Sequence, residues 1–176
     1  AHRLDKDTSG CIVLGRHPRA MAELNQMFRD GRIGKTYWAI VQGEPAQDEG
    51  LIDLPLAKRS PERGWWMKVD PAGLPSQTRY RVLGRGESEH GPLDWLALEP
   101  LTGRTHQLRV HCQASGWPML GDEIYGDAPR EGGPCLQLHA RSIAIPLYKK
   151  RDPIVVEAPP PPHMLAALGA CGWNRV

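Results

Sequence analysis

Glycine and proline recur along the whole chain and limit the length of any regular element. The 176 residues include 19 glycines and 17 prolines, which interrupt helices and end strands. A sheet-rich α+β domain is therefore more compatible with this sequence than a bundle of long helices. With 40% hydrophobic residues, a single domain spanning residues 1–176 can bury a core of ordinary size.

Charge and cysteine usage narrow the functional classes. A net charge of +2 is too small to identify a nucleic-acid partner, although arginines clustered on one face can still bind phosphates. The four cysteines form no CxxC pair, so reduced and mostly buried thiols are expected. No apolar run approaches the roughly 20 residues that span a bilayer, and no signal peptide is evident. We therefore expect a soluble, cytoplasmic monomer.

Hydrophobic periodicity predicts several short elements. Residues 18–29 have helical spacing, with Pro18 suited to the first turn and Gly31 just beyond the end. Short helices are also predicted between Thr105 and Gly116 and around residues 164–168. Strands are predicted in six apolar or β-branched stretches, namely 11–14, 36–41, 78–83, 95–99, 136–145 and 154–156. The strands at 78–83 and 95–99 are predicted to pair around a turn from Gly84 to Pro92. Residues 57–75, rich in basic residues, tryptophan, proline and glycine, predict an irregular excursion or a hairpin.

Five short strings carry the strongest functional signal. The two strongest are HRLDKDTSG at residues 2–10 and TGRTHQLRVH at residues 102–111. The other three are KTYWAIVQG at 35–43, GDEIYG at 121–126 and LHA at 138–140. Together, and in this order, they resemble the RluA family of pseudouridine synthases over nearly the whole chain. The family normally has a strand and loop before HRLD, so upstream sequence is expected to be missing.

The resemblance implies a mixed, largely antiparallel sheet with flanking helices and loops around an RNA-binding cleft. It implies isomerisation of uridine to pseudouridine in structured ribosomal or transfer RNA, without metal or organic cofactor. By the same resemblance, Asp5 is the catalytic carboxylate and Arg109 is the arginine that pairs with it. Tyr37 lies against the target base, and Arg3 enters the RNA stack where the base has left.

The reaction explains why so few side chains are needed. The N1–C1′ bond breaks, the uracil rotates, and its C5 joins C1′. Attack on the sugar, addition to the base and removal of a sugar proton are all compatible with Asp5, and each requires its ionised form. A nearby Arg109 favours that form. Tyr37 can pack on the base and is a candidate for relaying the C5 proton.

Further RNA contacts are predicted from charge and position. The target base must be extruded from its helix, at a cost of roughly a few kcal/mol, and the planar Arg3 is suited to fill the gap. The strings at residues 2–10 and 102–111 contain three further residues that we expect to contact RNA, namely Lys6, Arg104 and His106. Charge alone adds three residues, Lys58, Arg59 and Arg63.

Several alternatives compete with these assignments. Thr105 and His106 are also suited to begin a helix, and His139 to form core hydrogen bonds. His106 and His111 lack the HExxH spacing of zinc hydrolases, and Ser9 near His2 lacks the GxSxG turn of a serine hydrolase. The alternative of a different class is a catalytically inactive RNA-binding module with the same fold.

Overall fold

The computed structural model describes residues 2–60, 65–89 and 91–174 and is built on one twisted sheet. Within these ranges the sheet has seven strands, with the order β1-β8-β2-β7-β6-β3 and β9 also paired to β8. Their bounds are β1 Ser9–Gly10, β2 Gly34–Gln42, β3 Glu49–Asp53, β6 Gln77–Ser88, β7 Gly91–Pro100, β8 Leu138–Ile145 and β9 Ile154–Glu157. Only β1 and β8 run parallel, so the predicted mixed, largely antiparallel α+β fold is confirmed.

In the described part of the chain, three helices and a small hairpin accompany the sheet. The helices are α1 Pro18–Arg29, α2 Gln107–Ala114 and α3 Leu165–Ala170, with a 3₁₀ turn before α3. The hairpin is made of β4 Leu56–Lys58 and β5 Met67–Val69, as the composition of residues 57–75 predicts. None of the described helices has the length and apolar character needed to cross a lipid bilayer.

The alternation of side chains along β2 places a helix on each face of the sheet. Ala39, Ile40 and Val41 are all fully buried. Ala39 and Val41 belong to the cluster that includes α2, whereas Ile40 packs with residues of α3 and the preceding turn. Because successive side chains of a strand point to opposite faces, β2 lies at the centre of two layers of core.

Helix α1 matches its predicted bounds and closes one end of the sheet. His17 caps it by accepting a hydrogen bond from the Ala20 N–H at 3.2 Å, and Pro18 occupies the first turn. Leu24 and Met27 are buried against a cluster from the start of β2 and the end of β8. This packing fixes the C-terminal end of α1 beside the first residues of β2.

Two predictions about the strands are wrong. Residues 11–14 are not a buried strand, since Ile12 is 52% and Leu14 70% exposed; β1 ends at Gly10 because β9 occupies the next part of the β8 edge. The predicted 84–92 turn is mostly strand. A Cβ on Gly84 would lie 1.9 Å from the Cys171 carbonyl oxygen, so this glycine permits close approach of the C-terminal segment rather than a turn.

The thiols only partly match the prediction. All four cysteines are free, and Cys112 and Cys171 are buried. Cys135 is exposed, so burial of the thiols is not general.

Gly10 is predicted to be indispensable for docking the residue 2–10 segment. An added Cβ would lie 2.2 Å from the Ala140 carbonyl oxygen, and the φ of +109° is unfavourable for L side chains. Gly10→Ala should therefore lower the free energy of unfolding, by roughly 1–3 kcal/mol, in urea denaturation. Gly169→Ala is the control, because its Cβ would meet nothing within 4 Å and should leave stability equal or slightly higher. Equal effects of both substitutions would contradict this account of Gly10.

Candidate active site

The segment that carries Asp5 is a tight turn anchored on β8. The Thr8 N–H donates to the Asp5 carbonyl at 3.1 Å, and Asp7 has a φ of 67°, a conformation that aspartate tolerates better than most residues. The segment then pairs with β8 through Ser9 and Gly10. Asp5 is half-buried, and the pairing with β8 holds the C-terminal end of its turn in place.

Strand register brings Tyr37 to the same place. Gly10 and Tyr37 both pair with Ala140, from opposite edges of β8, and β2 has an irregularity between Thr36 and Tyr37. Burial, and then the charge of Asp5, raise the pKa of Tyr37 to about 12. The hydroxyl of Tyr37 is therefore neutral in the range where proteins are usually assayed, and the Asp5 carboxylate lies close enough to influence it.

Asp5 and Tyr37 line an open cavity of about 1000 Å³. That volume is at the upper end of the range for small-molecule sites, roughly 300–1,000 Å³. The cavity wall also holds four cations and one further carboxylate, namely Arg3, Arg29, Lys35, Arg104 and Glu99. Glu99 is paired with Arg79 at 3.2 Å. None of the four cations has a carboxylate partner among the residues described, so the cavity presents an excess of positive charge.

Gln107 organises the loop that presents Arg104. Its side-chain oxygen accepts hydrogen bonds from the Thr102 hydroxyl at 2.7 Å and the Arg104 N–H at 3.0 Å. Its side-chain nitrogen donates to the Gln77 carbonyl and the Thr78 hydroxyl. Gln107 is 3% exposed, and it ties the loop after β7 to β6. No role was predicted for Gln107 from the sequence.

Arg109 is placed differently from the prediction. Its guanidinium forms a two-point ion pair with Asp122, with distances of 2.6 and 2.7 Å, rather than with Asp5. Both side chains are almost fully buried. Burial acts against the charge of Arg109, but the hydrogen bonds and charge of Asp122 outweigh it and raise the pKa of Arg109, with a smaller contribution from Asp5. Arg109 thus lies near Asp5, without a direct ion pair.

Tyr125 links this ion pair to the hairpin. Its hydroxyl accepts a hydrogen bond from the Met67 N–H and lies 2.9 Å from Nδ1 of His106. The tautomer of His106, whose pKa is lowered by burial, decides which of these two groups donates the hydrogen bond. The Arg109 guanidinium lies over the Tyr125 ring at 5.3 Å. His106 is consequently a buried residue beside the site, at the start of α2.

The remaining predicted RNA contacts are spread over the surface. Lys6 is exposed in the Asp5 turn, and Lys58 and Arg59 are exposed at β4. Arg63 lies outside the residues that the structure describes. Thr105 does not cap α2, since the capping position is His106 and no side chain there accepts a hydrogen bond.

Two histidines close to the zinc-hydrolase and serine-hydrolase alternatives form other hydrogen bonds. Nε2 of His111 donates a hydrogen bond to the Leu54 carbonyl, and Nδ1 accepts one from the Thr78 hydroxyl. Both ring nitrogens are therefore hydrogen-bonded. The hydroxyl of Ser9 lies 2.8 Å from His139 Nδ1, and His139 Nε2 donates to the Ala158 carbonyl. Since no carboxylate orients His139, this pair is not a catalytic triad. The prediction that His139 forms core hydrogen bonds is confirmed.

Comparisons with known proteins agree on one family. The family model described as RNA pseudouridylate synthase matches residues 1–114. An uncharacterized RNA pseudouridine synthase of Zymomonas mobilis is 43% identical over 91% of this chain and 72% of its own length. The dual-specificity RNA pseudouridine synthase RluA of Escherichia coli K12 is 41% identical over 82% of this chain, which spans 65% of that relative.

A solved structure shows the same likeness. Human RNA Pseudouridylate Synthase Domain Containing 1 has a TM-score of 0.81 and 33% identity, over 97% of this chain and 71% of its own. Three of the five strings, at residues 2–10, 35–43 and 102–111, lie within the residues 1–114 that the family model matches, and the strings at 121–126 and 138–140 lie beyond them. Two residues of the fourth string, Asp122 and Tyr125, received no role from the sequence, although a carboxylate and a phenol three residues apart were visible there.

Removing the charge of Asp122 is predicted to destabilise the protein. Asp122→Asn leaves the Arg109 guanidinium buried without an anion, and breaking such a pair costs about 3–5 kcal/mol. Urea denaturation should show a loss of this order. The control is Glu23→Gln, which removes the exposed ion pair with Arg19 on α1 and should change stability very little. A native-like midpoint for Asp122→Asn would show that the buried pair contributes nothing to the fold.

Proposed function

This chain belongs to the RNA pseudouridylate synthase family, and we propose that it isomerises uridine to pseudouridine in structured ribosomal or transfer RNA, with Asp5 as the catalytic carboxylate. The observation that carries this proposal is the position of Asp5 and Tyr37 on one cavity whose other charged groups are mainly unpaired cations. A polyanion fits this balance of charge.

The geometry supports a division of labour inside the cavity. Tyr37 supplies a flat surface against the uracil, which must stay bound while the N1–C1′ bond breaks and the C5–C1′ bond forms. Asp5 acts in its ionised form on the sugar or the base, and the proton displaced from C5 passes to solvent. A neutral Tyr37 is better suited to packing and to donating a hydrogen bond than to acting as a base.

Arg109 is proposed to stabilise the ionised form of Asp5 by its charge, without a direct contact. Its charge is held by Asp122 and partly shielded from water, and in such surroundings the attraction between unlike charges is stronger than in bulk solvent. Arg109 therefore favours the ionised form of Asp5 without forming a direct pair. Removing Arg109 is expected to impair turnover more than RNA affinity.

Arg3, exposed at the cavity wall, is proposed to fill the RNA stack after the uridine has been extruded. Arg104, which also lines the cavity, is proposed to contact phosphate, and Lys6 and His106 remain predicted RNA contacts. A cytoplasmic monomer with one catalytic domain, working without metal or organic cofactor, is part of the same proposal. The inactive RNA-binding module is the competing function, and turnover separates the two.

Asp5→Asn is predicted to abolish turnover. The assay uses cellular RNA with tritium at uracil C5 and measures the label released into water. The native protein should release tritium and Asp5→Asn should not, because the substituted amide is uncharged. Asp7→Asn is the matched control, since Asp7 is exposed in the same turn, and asparagine tolerates its left-handed backbone; it should retain most of the release. No release from the native protein would favour the inactive module.

The pH profile is predicted to be free of Tyr37 ionisation. Since the pKa of Tyr37 is raised to about 12, its hydroxyl stays protonated throughout an assay below about pH 10. Tyr37→Phe should therefore change the size of the tritium-release rate but leave the shape of its pH dependence as it is. A limb of the native profile that disappears in Tyr37→Phe would contradict this expectation.

A further inference from the structure

Lys35 is a cation of the cavity wall with no visible partner. It lies near the start of β2, two residues before Tyr37, and lines the same cavity as Asp5. No hydrogen bond or ion pair joins its ammonium group to any residue in the described ranges. By contrast, Arg109 and Arg85, the cations closest to buried carboxylates, are paired with Asp122 and Asp94 respectively.

The position of Lys35 is unfavourable for the isolated fold. The side chain is half-buried, and burial lowers the pKa of its ammonium group. Its charge also contributes to lowering the pKa of His2, after burial. A partly desolvated charge without a counter-charge destabilises a protein, so an anion supplied from outside would relieve this cost.

Two further polar groups of the cavity wall lack a hydrogen-bond partner among the described residues. Nδ1 of His2 accepts the Val13 N–H, which leaves Nε2 of the neutral ring as a donor. That nitrogen and the Thr8 hydroxyl are covered and have no hydrogen-bond partner, and both residues line the cavity. Among the residues that the structure describes, the wall holds one carboxylate besides Asp5, namely Glu99, which is paired with Arg79.

We propose that Lys35 binds a backbone phosphate of the RNA immediately next to the uridine held against Tyr37. The inference rests on the proposed function and deepens it by assigning a phosphate position. Lys35 precedes Tyr37 by two residue steps along the strand, or roughly 7 Å, so a group bound to Lys35 lies one step along the RNA from the base. Among the chemical groups of RNA, phosphate carries the charge that an unpaired ammonium requires.

The test compares Lys35→Met with Lys35→Arg and with Lys150→Met, an exposed lysine outside the cavity. Filter binding gives the Kd for cellular RNA over a range of salt concentrations, tritium release gives KM and kcat, and thermal unfolding gives Tm. Lys35→Met should raise Kd and KM about tenfold or more at low salt. It should reduce the slope of log Kd against log salt by about 0.7–0.9, as expected for one lost phosphate contact.

Lys35→Met should also leave Tm equal to or above the native value, because it removes a charge that nothing in the fold neutralises. This combination of weaker RNA binding and undiminished stability is one that a purely structural lysine would not produce. Lys35→Arg should restore most of the affinity, and Lys150→Met should behave as the native protein.

Three results would overturn the proposal. They are an unchanged salt slope in Lys35→Met, an equal loss in Lys150→Met, which would indicate a general field instead of a site, and a fall in kcat with unchanged Kd. The measurement of Kd does not depend on turnover. A native protein that releases no tritium would contradict the proposed function, whereas the salt dependence of Kd would still test the phosphate assignment.

Discussion

The buried ion pair of Arg109 and Asp122 is the interaction on which the site depends. It joins α2 to the loop before β8, and the two backbone N–H groups of Ile124 and Tyr125 complete the carboxylate's hydrogen bonds. Through Tyr125 the same cluster reaches the hairpin at Met67. A cation held in this way is fixed in position before any substrate arrives, which is the condition for stabilising charge without reorganisation.

Much of the fold was predictable because its signals are local. The spacing of apolar residues in α1 and the β-branched and aromatic residues of β2 are sufficient to define those elements. The length of β1 was not predictable, since it depends on β9 taking the neighbouring edge of β8. Gly84 was misleading for a similar reason: a glycine that makes room for a distant carbonyl has the same appearance in the sequence as one that forms a turn.

The site was predictable in its members more than in its contacts. Asp5 and Tyr37 line one cavity, as their places in the recognised strings suggested. The partner of Arg109 was missed because a guanidinium in a buried helix takes the carboxylate that the tertiary structure brings to it, and the sequence separation of Arg109 and Asp122 does not reveal this. Lys35 was not predicted as a site residue because its distinguishing feature is the lack of a counter-charge among the described residues, which only a three-dimensional arrangement can show.

The neutral histidines packed around α2 and β8 make the framework sensitive to acid. Burial lowers the pKa of His106, His111 and His139, whereas in the unfolded chain a histidine titrates near pH 6.5. Below about that pH the histidines bind protons in the unfolded state but not in the folded state. The contribution of these histidines to stability is therefore complete at higher pH and declines as pH falls. Mild acidification therefore lowers the stability of the fold, and protonation of Nδ1 of His139 removes the acceptor for the Ser9 hydroxyl, which helps to hold the residue 2–10 segment against β8.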